Sequence, residues 1–354
     1  MSGDLILLTG ATGFVGYKTL ITALKAGYRV RCAVRSKSGI DKVLSAPSLQ
    51  SLQVSNNQLS WVIVPDIAAL GAYDDAVKDV KYIIHCASPV PKFGPNGLGA
   101  NGRHGTDEEI FVTPAVRGVV GMLESAAAHA ADTVKRIVVT SSVVAVMPRS
   151  AFRGEGLDRP AFTGESRLPT PAAPYEDAYS ASKTASLEAS EIWIKEHQPA
   201  FDLISIMPAW ILGHEEFAKT TKSLLEGSNS VLLGLLTGRK SSTTINTGCI
   251  SVTDVADAHI SALSPSVSGG QSFLLSRHIV FEEARKLAKQ YFLDAFVSGV
   301  FNEDGVQPTV SIPTDASEGE KLLGRTYVSE EEIVREVATQ YVQLAMTGNE
   351  RNGN

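Results

Sequence analysis

Disulfides, metal clusters and a basic surface are all missing from this sequence. Its 354 residues contain three cysteines, Cys32, Cys86 and Cys249, widely separated and without CxxC spacing. An odd, scattered set cannot build a disulfide framework, so a reducing compartment is expected. The seven histidines show no H-x-x-x-H or Cys/His grouping, and no metal site is expected. Acids outnumber bases, 38 to 32, for a formal charge of −6. That balance excludes the basic footprint of a nucleic-acid binder or of a protein drawn to an anionic membrane. No apolar run reaches the length of a membrane span. The opening M-S-G-D-L-I-L-L carries an acid where a signal peptide has its basic segment. A cytoplasmic protein is expected.

What is present is ordinary globular material, 44% hydrophobic and 20% charged, in a chain long enough for a large core. Short apolar runs predict strands over 4–9, 28–34, 59–64, 80–86, 136–140 and 201–207. Helical patterns separate them, over 14–25, 39–44, 73–78, 114–131 and 175–195. Strands alternating with helices predict an α/β fold with a parallel sheet covered on both faces, of the doubly wound Rossmann type. Beyond Pro208 the pattern loosens. The expected organisation is a nucleotide-binding core over 1–207, rejoined by 237–263, with a smaller C-terminal substrate lobe from 208–236 and 264–354. A last helix is predicted from Ser329, whose spacing to Glu332 fits a capping box, with a polar tail after Gly348.

The first strand runs into T-G-A-T-G-F-V-G, which sets Gly10, Gly13 and Gly16 in a strand-to-helix turn with Thr12, Phe14 and Val15 among them. Such glycines allow a tight turn, close backbone approach to a pyrophosphate, and tight helix-on-strand packing. The helix N-terminus adds free N–H groups and a favourable dipole. The second strand ends V-R-C-A-V-R-S, with Arg35 where an NAD-binding protein carries an acid. A guanidinium grips a 2′-phosphate that an acid would repel, so NADPH/NADP+ is the expected cofactor, with Lys42 nearby as a second cation. Asp66 and Ile67 after the third strand are placed at the adenine. Ala87 and Ser88, in H-C-A-S-P, lie at the sheet's carboxyl edge, where ligands bind. His85 is assigned to its strand.

The fifth strand ends T-S-S, Thr140 to Ser142, at the same edge. The next helix carries Y-S-A-S-K, setting Tyr179 and Lys183 one turn apart on one face. A hydroxyl at Ser142 suits a carbonyl oxygen, and the phenol–ammonium pair suits proton transfer. The pair alone is weak; the order of all three motifs carries the argument.

That order resembles the extended short-chain dehydrogenase/reductase family, as does S-V-T-D-V-A-D-A-H at Ser251 to His259. Arg35, M-P-A-W-I-L-G, G-A-Y-D-D-A-V-K-D-V and T-P-A-V-R-G make it similar to the NADPH-dependent aldehyde and ketone reductase branch, nearest to the fungal carbonyl reductases. The resemblance implies that Tyr179 gives the proton, that Lys183 holds the nicotinamide ribose and, with the cofactor's positive charge after transfer, lowers the tyrosine pKa, and that Ser142 orients the carbonyl. It also places Thr140, Pro208 and Ile211 on the nicotinamide side. It implies a small-molecule carbonyl substrate and favours a monomer over a homodimer. Pro89, Val90, Phe93, Tyr175 and Trp210 are candidates for the substrate pocket, with Phe152, Phe217 and the run 231–236 beside them. The glycine-rich loop over 93–105 is either a floppy insertion or a lid. Other readings are a hydroxysteroid-type dehydrogenase, a nucleotide-sugar epimerase or dehydratase, and a non-catalytic NADP(H)-binding regulator. Arg35 and the absence of an acidic pair after Thr140 argue against the epimerase or dehydratase. The retained tyrosine and lysine argue against the regulator.

Overall fold

The computed structural model describes residues 3–55, 57–94, 97–99 and 105–352, except for the side chains of 92–94, 97–99 and 348–352. Seven parallel strands form the central sheet: β1 (Leu5–Thr9), β2 (Arg29–Val34), β3 (Leu59–Ile63), β4 (Tyr82–His85), β5 (Arg136–Thr140), β6 (Asp202–Pro208) and β7 (Ser272–Leu275). Their spatial order is β7-β6-β5-β4-β1-β2-β3. The order reverses between β1 and β4, and the crevice at that point is where such sheets bind ligands.

Alternation along each strand fills two layers. Ile6 and Leu8 of β1 face one core with α1 (Phe14–Lys25), while Leu7 faces the other with α3 (Thr113–His129) and Trp193 of α4 (Ala178–His197). Helix α2 (Lys37–Leu44) follows β2, and α5 (Val252–Ser261) packs beside α1. The first core alone excludes about twenty-eight side chains from water, each Val, Leu, Ile or Phe among them stabilising the fold by roughly 1.5–3 kcal/mol before chain entropy opposes it. A third core lies in the C-terminal part, built from Leu212, Leu232, Leu236, Phe281 and Phe301 against Ile333, Val334 and Val337 of α6 (Glu330–Asn352).

Several expectations are corrected. Residues 73–78 form successive turns rather than a helix, bracketed by Gly71 and Asp79, both in left-handed backbone. The sheet continues past the boundary expected at 264: Ser272–Leu275 pairs in parallel with β6. Four wholly buried residues show no alternation, so this strand left no signal in the sequence. Helix α4 begins at Ala178, since Asp177 caps it by accepting from Ser180 N–H at 2.9 Å. The capping box at Ser329 is present, with Glu332 N–H donating to Ser329 Oγ at 3.2 Å, but the helix runs on to Asn352, past Gly348. Against the expectation of no span-length segment, Glu108–His129 is long and apolar enough to cross a membrane. Here its apolar side is used inside the protein, with Ala115, Val119, Met122, Leu123 and Ala126 buried.

Candidate active site

Four strand ends and one helix converge on the reversal point. Gly10 follows β1 at φ +80°, and the turn closes by Gly13 N–H donating to the Gly10 carbonyl at 2.9 Å. A Cβ on Gly16 would stand 2.2 Å from that same carbonyl oxygen, so only glycine allows the helix to approach so closely. Gly13 then caps α1 with no side chain spent on the first-turn N–H groups. Those donors and the tight cradle fit a dinucleotide pyrophosphate.

Arg35 is exposed just past β2, and no hydrogen bond or ion pair engages its guanidinium among the described residues. Lys42 is brought to the turn: its Nζ donates to the Thr12 carbonyl at 2.8 Å and sits 4.1 Å above the Phe217 ring. Two N–H bonds remain for another acceptor. Asp66 uses one carboxylate oxygen in its own turn, accepting from Ala68 N–H at 2.9 Å. Ile67 packs against Gly118 on α3. At the end of β4, Ala87 N–H donates to Thr9 Oγ1 at 3.0 Å, and Thr9 also bonds His85 Nδ1 at 3.1 Å. His85 is therefore a structural residue of its strand; burial, with the Lys183 charge beside it, pushes its pKa down to about 3.

The reactive groups meet across β5 and α4. Lys183 Nζ donates to the Thr140 carbonyl at 3.1 Å and lies 5.8 Å from the centre of the Tyr179 ring. Burial lowers the Lys183 pKa to about 8, with the Cys86 thiol pulling the other way. Ser142, nearly buried, caps the single turn Val143–Ala145, and its hydroxyl favours the ionised form of the Tyr179 phenol. Burial raises Tyr179 to about 12, against the pull of the Ser142 hydroxyl, while the Asp177 charge raises it further. In a protein interior, loss of hydration of the phenolate outweighs one neutral hydrogen bond. A small cavity borders this group, lined by His85, Ser88, Thr140, Ser141, Lys183 and Ser186 among others.

The whole chain from β1 to β7 carries a family signature. Residues 6–274 match the model of the NAD dependent epimerase/dehydratase family. The chain belongs to this family. It is the extended branch of the short-chain dehydrogenase/reductases. Within the family, the ketoreductase CTB6 of Cercospora nicotianae is 34% identical over 362 residues, covering 97% of this chain and 96% of the relative. A protein of Alternaria alternata named NAD-dependent epimerase/dehydratase ALT6 is 32% identical, covering 96% of this chain and 98% of its own. The crystal structure of the yeast methylglyoxal/isovaleraldehyde reductase Gre2 with NADPH superposes with a TM-score of 0.78 at 25% identity, covering 96% of this chain and 99% of that one.

Family scaffolds vary most around the substrate, and there the sequence candidates scatter. Pro89 is buried and Val90 exposed beyond β4. The side chain of Phe93 and most of the loop behind it lie outside the described residues; the backbone of Lys92–Gly94 pairs antiparallel with Gly97–Gly99. Tyr175 donates its hydroxyl to Glu108, which also accepts from Thr113 Oγ1 at 2.8 Å. Trp210 packs against the C-terminal core, and the run 231–236 is buried within it. Pro208 ends β6 beside Leu275, and Ile211 pairs with Ile250. Phe152 belongs to a separate buried cluster, and Phe217 stacks edge-on against Tyr17 at 4.7 Å.

Sequence reasoning missed two residues of this site. Asp177 fixes the start of the helix that carries Tyr179 and Lys183, and its spacing to Ser180 was the available signal. His259 bonds Thr140 Oγ1 at 2.7 Å from 119 positions away, a contact no local pattern encodes.

Proposed function

We propose that this chain reduces a small aldehyde or ketone to the alcohol with NADPH. The observation that carries the reading is the convergence of Ser142, Tyr179 and Lys183 at the carboxyl edge of the sheet, beside the glycine turn. The glycine turn and the α1 N-terminus hold the pyrophosphate, and Arg35 with Lys42 takes the 2′-phosphate. Bound NADPH supplies the hydride. Ser142 orients the substrate oxygen, and Tyr179 gives it a proton. A phenol raised to about 12 is fully protonated at neutral pH, so the donor is loaded. The phenolate left behind faces the Lys183 ammonium, which stabilises it until solvent returns a proton. Lys183, at about 8, is still mostly charged at neutral pH. Pro89, Val90, Tyr175 and Trp210 stay candidates for the substrate side, and Phe93 with them. Dehydratase chemistry is disfavoured, because Thr140 is followed by Ser141 and Ser142 and not by the acidic pair an elimination needs, and an NAD-holding epimerase is disfavoured by Arg35.

The test is NADPH consumption over a panel of aldehydes, α-diketones, β-ketoesters and hydroxysteroid ketones, with Tyr179→Phe run beside the wild type. Removing the proton donor should lower kcat by about a hundredfold or more, with NADPH binding retained. Unchanged turnover in Tyr179→Phe would sink the mechanism. Binding of NADPH without any turnover on the panel points instead to a cofactor-binding regulator.

A further inference from the structure

A helix that returns late in the chain reaches the Lys183 ammonium through two residues. His259 of α5 has no exposed surface. Its Nδ1 lies 2.7 Å from the Val255 carbonyl, one turn back on the same helix. A carbonyl has no proton to give, so Nδ1 carries the hydrogen. Burial keeps the ring neutral, its pKa pushed down to about 4, which leaves Nε2 bare and able only to accept. Thr140 Oγ1 stands 2.7 Å from Nε2, and it must be the donor.

The peptide after Thr140 is held on both sides. Ser141 N–H donates to the Ile206 carbonyl of β6 at 2.7 Å. The Thr140 carbonyl, pointing the other way in the same trans peptide plane, accepts from Lys183 Nζ at 3.1 Å. The threonine side chain pinned by His259 and the ladder bond to β6 together set where that carbonyl aims. Helix α5 is anchored in turn by the C-terminal lobe. Asp254, with no exposure, accepts from Arg325 Nη1 at 2.6 Å and from Val328 N–H at 2.9 Å, while Asp257 accepts from Arg325 Nη2 at 2.7 Å.

We propose that His259 is a positioning residue for the carbonyl reduction: through its bond to Thr140 it holds the carbonyl that aims the Lys183 ammonium. The inference rests on the reading of Tyr179 and Lys183 given above and adds a residue outside that set. The titratable groups that face those two are His85 and Cys86 at the end of β4 and Asp177 at the start of α4. His259 touches none of them and acts through Thr140.

Three variants isolate the effect. His259→Phe removes the acceptor and keeps the bulk, His259→Gln offers an amide oxygen in its place, and Thr140→Val removes the donor while keeping shape and carbonyl. Each is assayed for NADPH-dependent turnover from neutral to alkaline pH, with folding followed by circular dichroism. His259→Phe and Thr140→Val should each lower kcat by about tenfold to a hundredfold. The double variant should fall no lower than the worse single one. Lys183, at about 8, titrates first, and an ammonium deprived of its carbonyl acceptor gives up its proton more readily, so the alkaline limb of kcat should move to lower pH, and His259→Gln should restore both rate and limb. A folded His259→Phe or Thr140→Val with unchanged kcat and limb overturns the proposal, as does a lost rate with the limb unmoved. If His259→Phe does not fold, Thr140→Val decides. Tyr179→Phe in parallel separates the two readings: if it stays active the reaction itself is misassigned, and if it is dead beside an unaltered His259→Phe only the positioning role fails.

Discussion

The sheet core and the C-terminal lobe are held by different kinds of contact. In the core, order comes from repetition: parallel ladders, alternate residues buried on opposite faces, and a glycine turn whose shape is set by the backbone. In the lobe, strands are two to four residues long, and single polar side chains join distant segments. Asn229 brackets Gly213, accepting from its N–H at 3.0 Å and donating to its carbonyl at 2.8 Å. Gln340 does the same to Glu215, 125 positions away, at 2.9 and 2.8 Å. A buried amide paired on both sides specifies one arrangement, because any other leaves it unsatisfied. The core is therefore sensitive to burial and backbone space, and the lobe to loss of particular partners.

Acid is the strongest way to break that contrast. His85 and His259 are buried in the core, with pKa values of about 3 and about 4, whereas His214 and His278 of the lobe are exposed. Between those values and the unfolded value of about 6.5, the unfolded chain binds protons that the folded core refuses. Stability from these two groups is thus complete above neutral pH and is lost as pH falls toward 4. At pH about 5 the pair should cost the core about 4 kcal/mol. Urea unfolding followed through the tryptophans reads this out, since Trp61 and Trp193 report on the core and Trp210 on the lobe. A lobe that loosens before the core on mild acidification would reverse the comparison. Gly16→Ala comes next. Its new Cβ would meet the Gly10 carbonyl at 2.2 Å, and overpacking of that kind costs about 1–3 kcal/mol. NADPH affinity, read by fluorescence titration, should fall at least about tenfold as the turn opens. Wild-type affinity in Gly16→Ala would mean that the cradle is not built on this close approach.

The same contrast explains what the sequence made legible. Six of the seven strands, the glycine turn and the order Ser142, Tyr179, Lys183 were readable because each obeys a local rule of period, turn geometry or helical spacing. Arg35 stood out as a candidate because the chemistry of one position after β2 separates two nucleotides. Ser272–Leu275 was not, since a fully buried four-residue strand carries no alternation. The burial that raises the Tyr179 pKa is likewise something no sequence displays. The partner of Asp254 was also missed: Arg325 lies 71 positions away, although the S-V-T-D-V-A-D-A-H motif itself stood out.

Arg35 and Asp254 sharpen the comparison from its two sides, with smaller effects. Replacing Arg35 with alanine should weaken NADPH by about tenfold to a hundredfold, the worth of charge-assisted hydrogen bonds, and leave NADH untouched. The ratio of kcat/KM for the two cofactors measures this. An unchanged ratio would move the 2′-phosphate elsewhere, with Lys42 the next candidate.

Asp254→Asn tests the lobe on its own terms. The substitution keeps the shape and one acceptor for Val328 N–H, but it removes the charge that holds Arg325. Arg325 is partly exposed, so water recovers part of its hydration and the loss should be only about 1 kcal/mol. The effect should be local. Amide exchange should quicken around Arg325 to Val328 and at the start of α6, while β1 and β4 keep their protection. If β1 and β4 exchange faster as well, the tie through α5 reaches the sheet, and core and lobe are one cooperative unit despite their different construction.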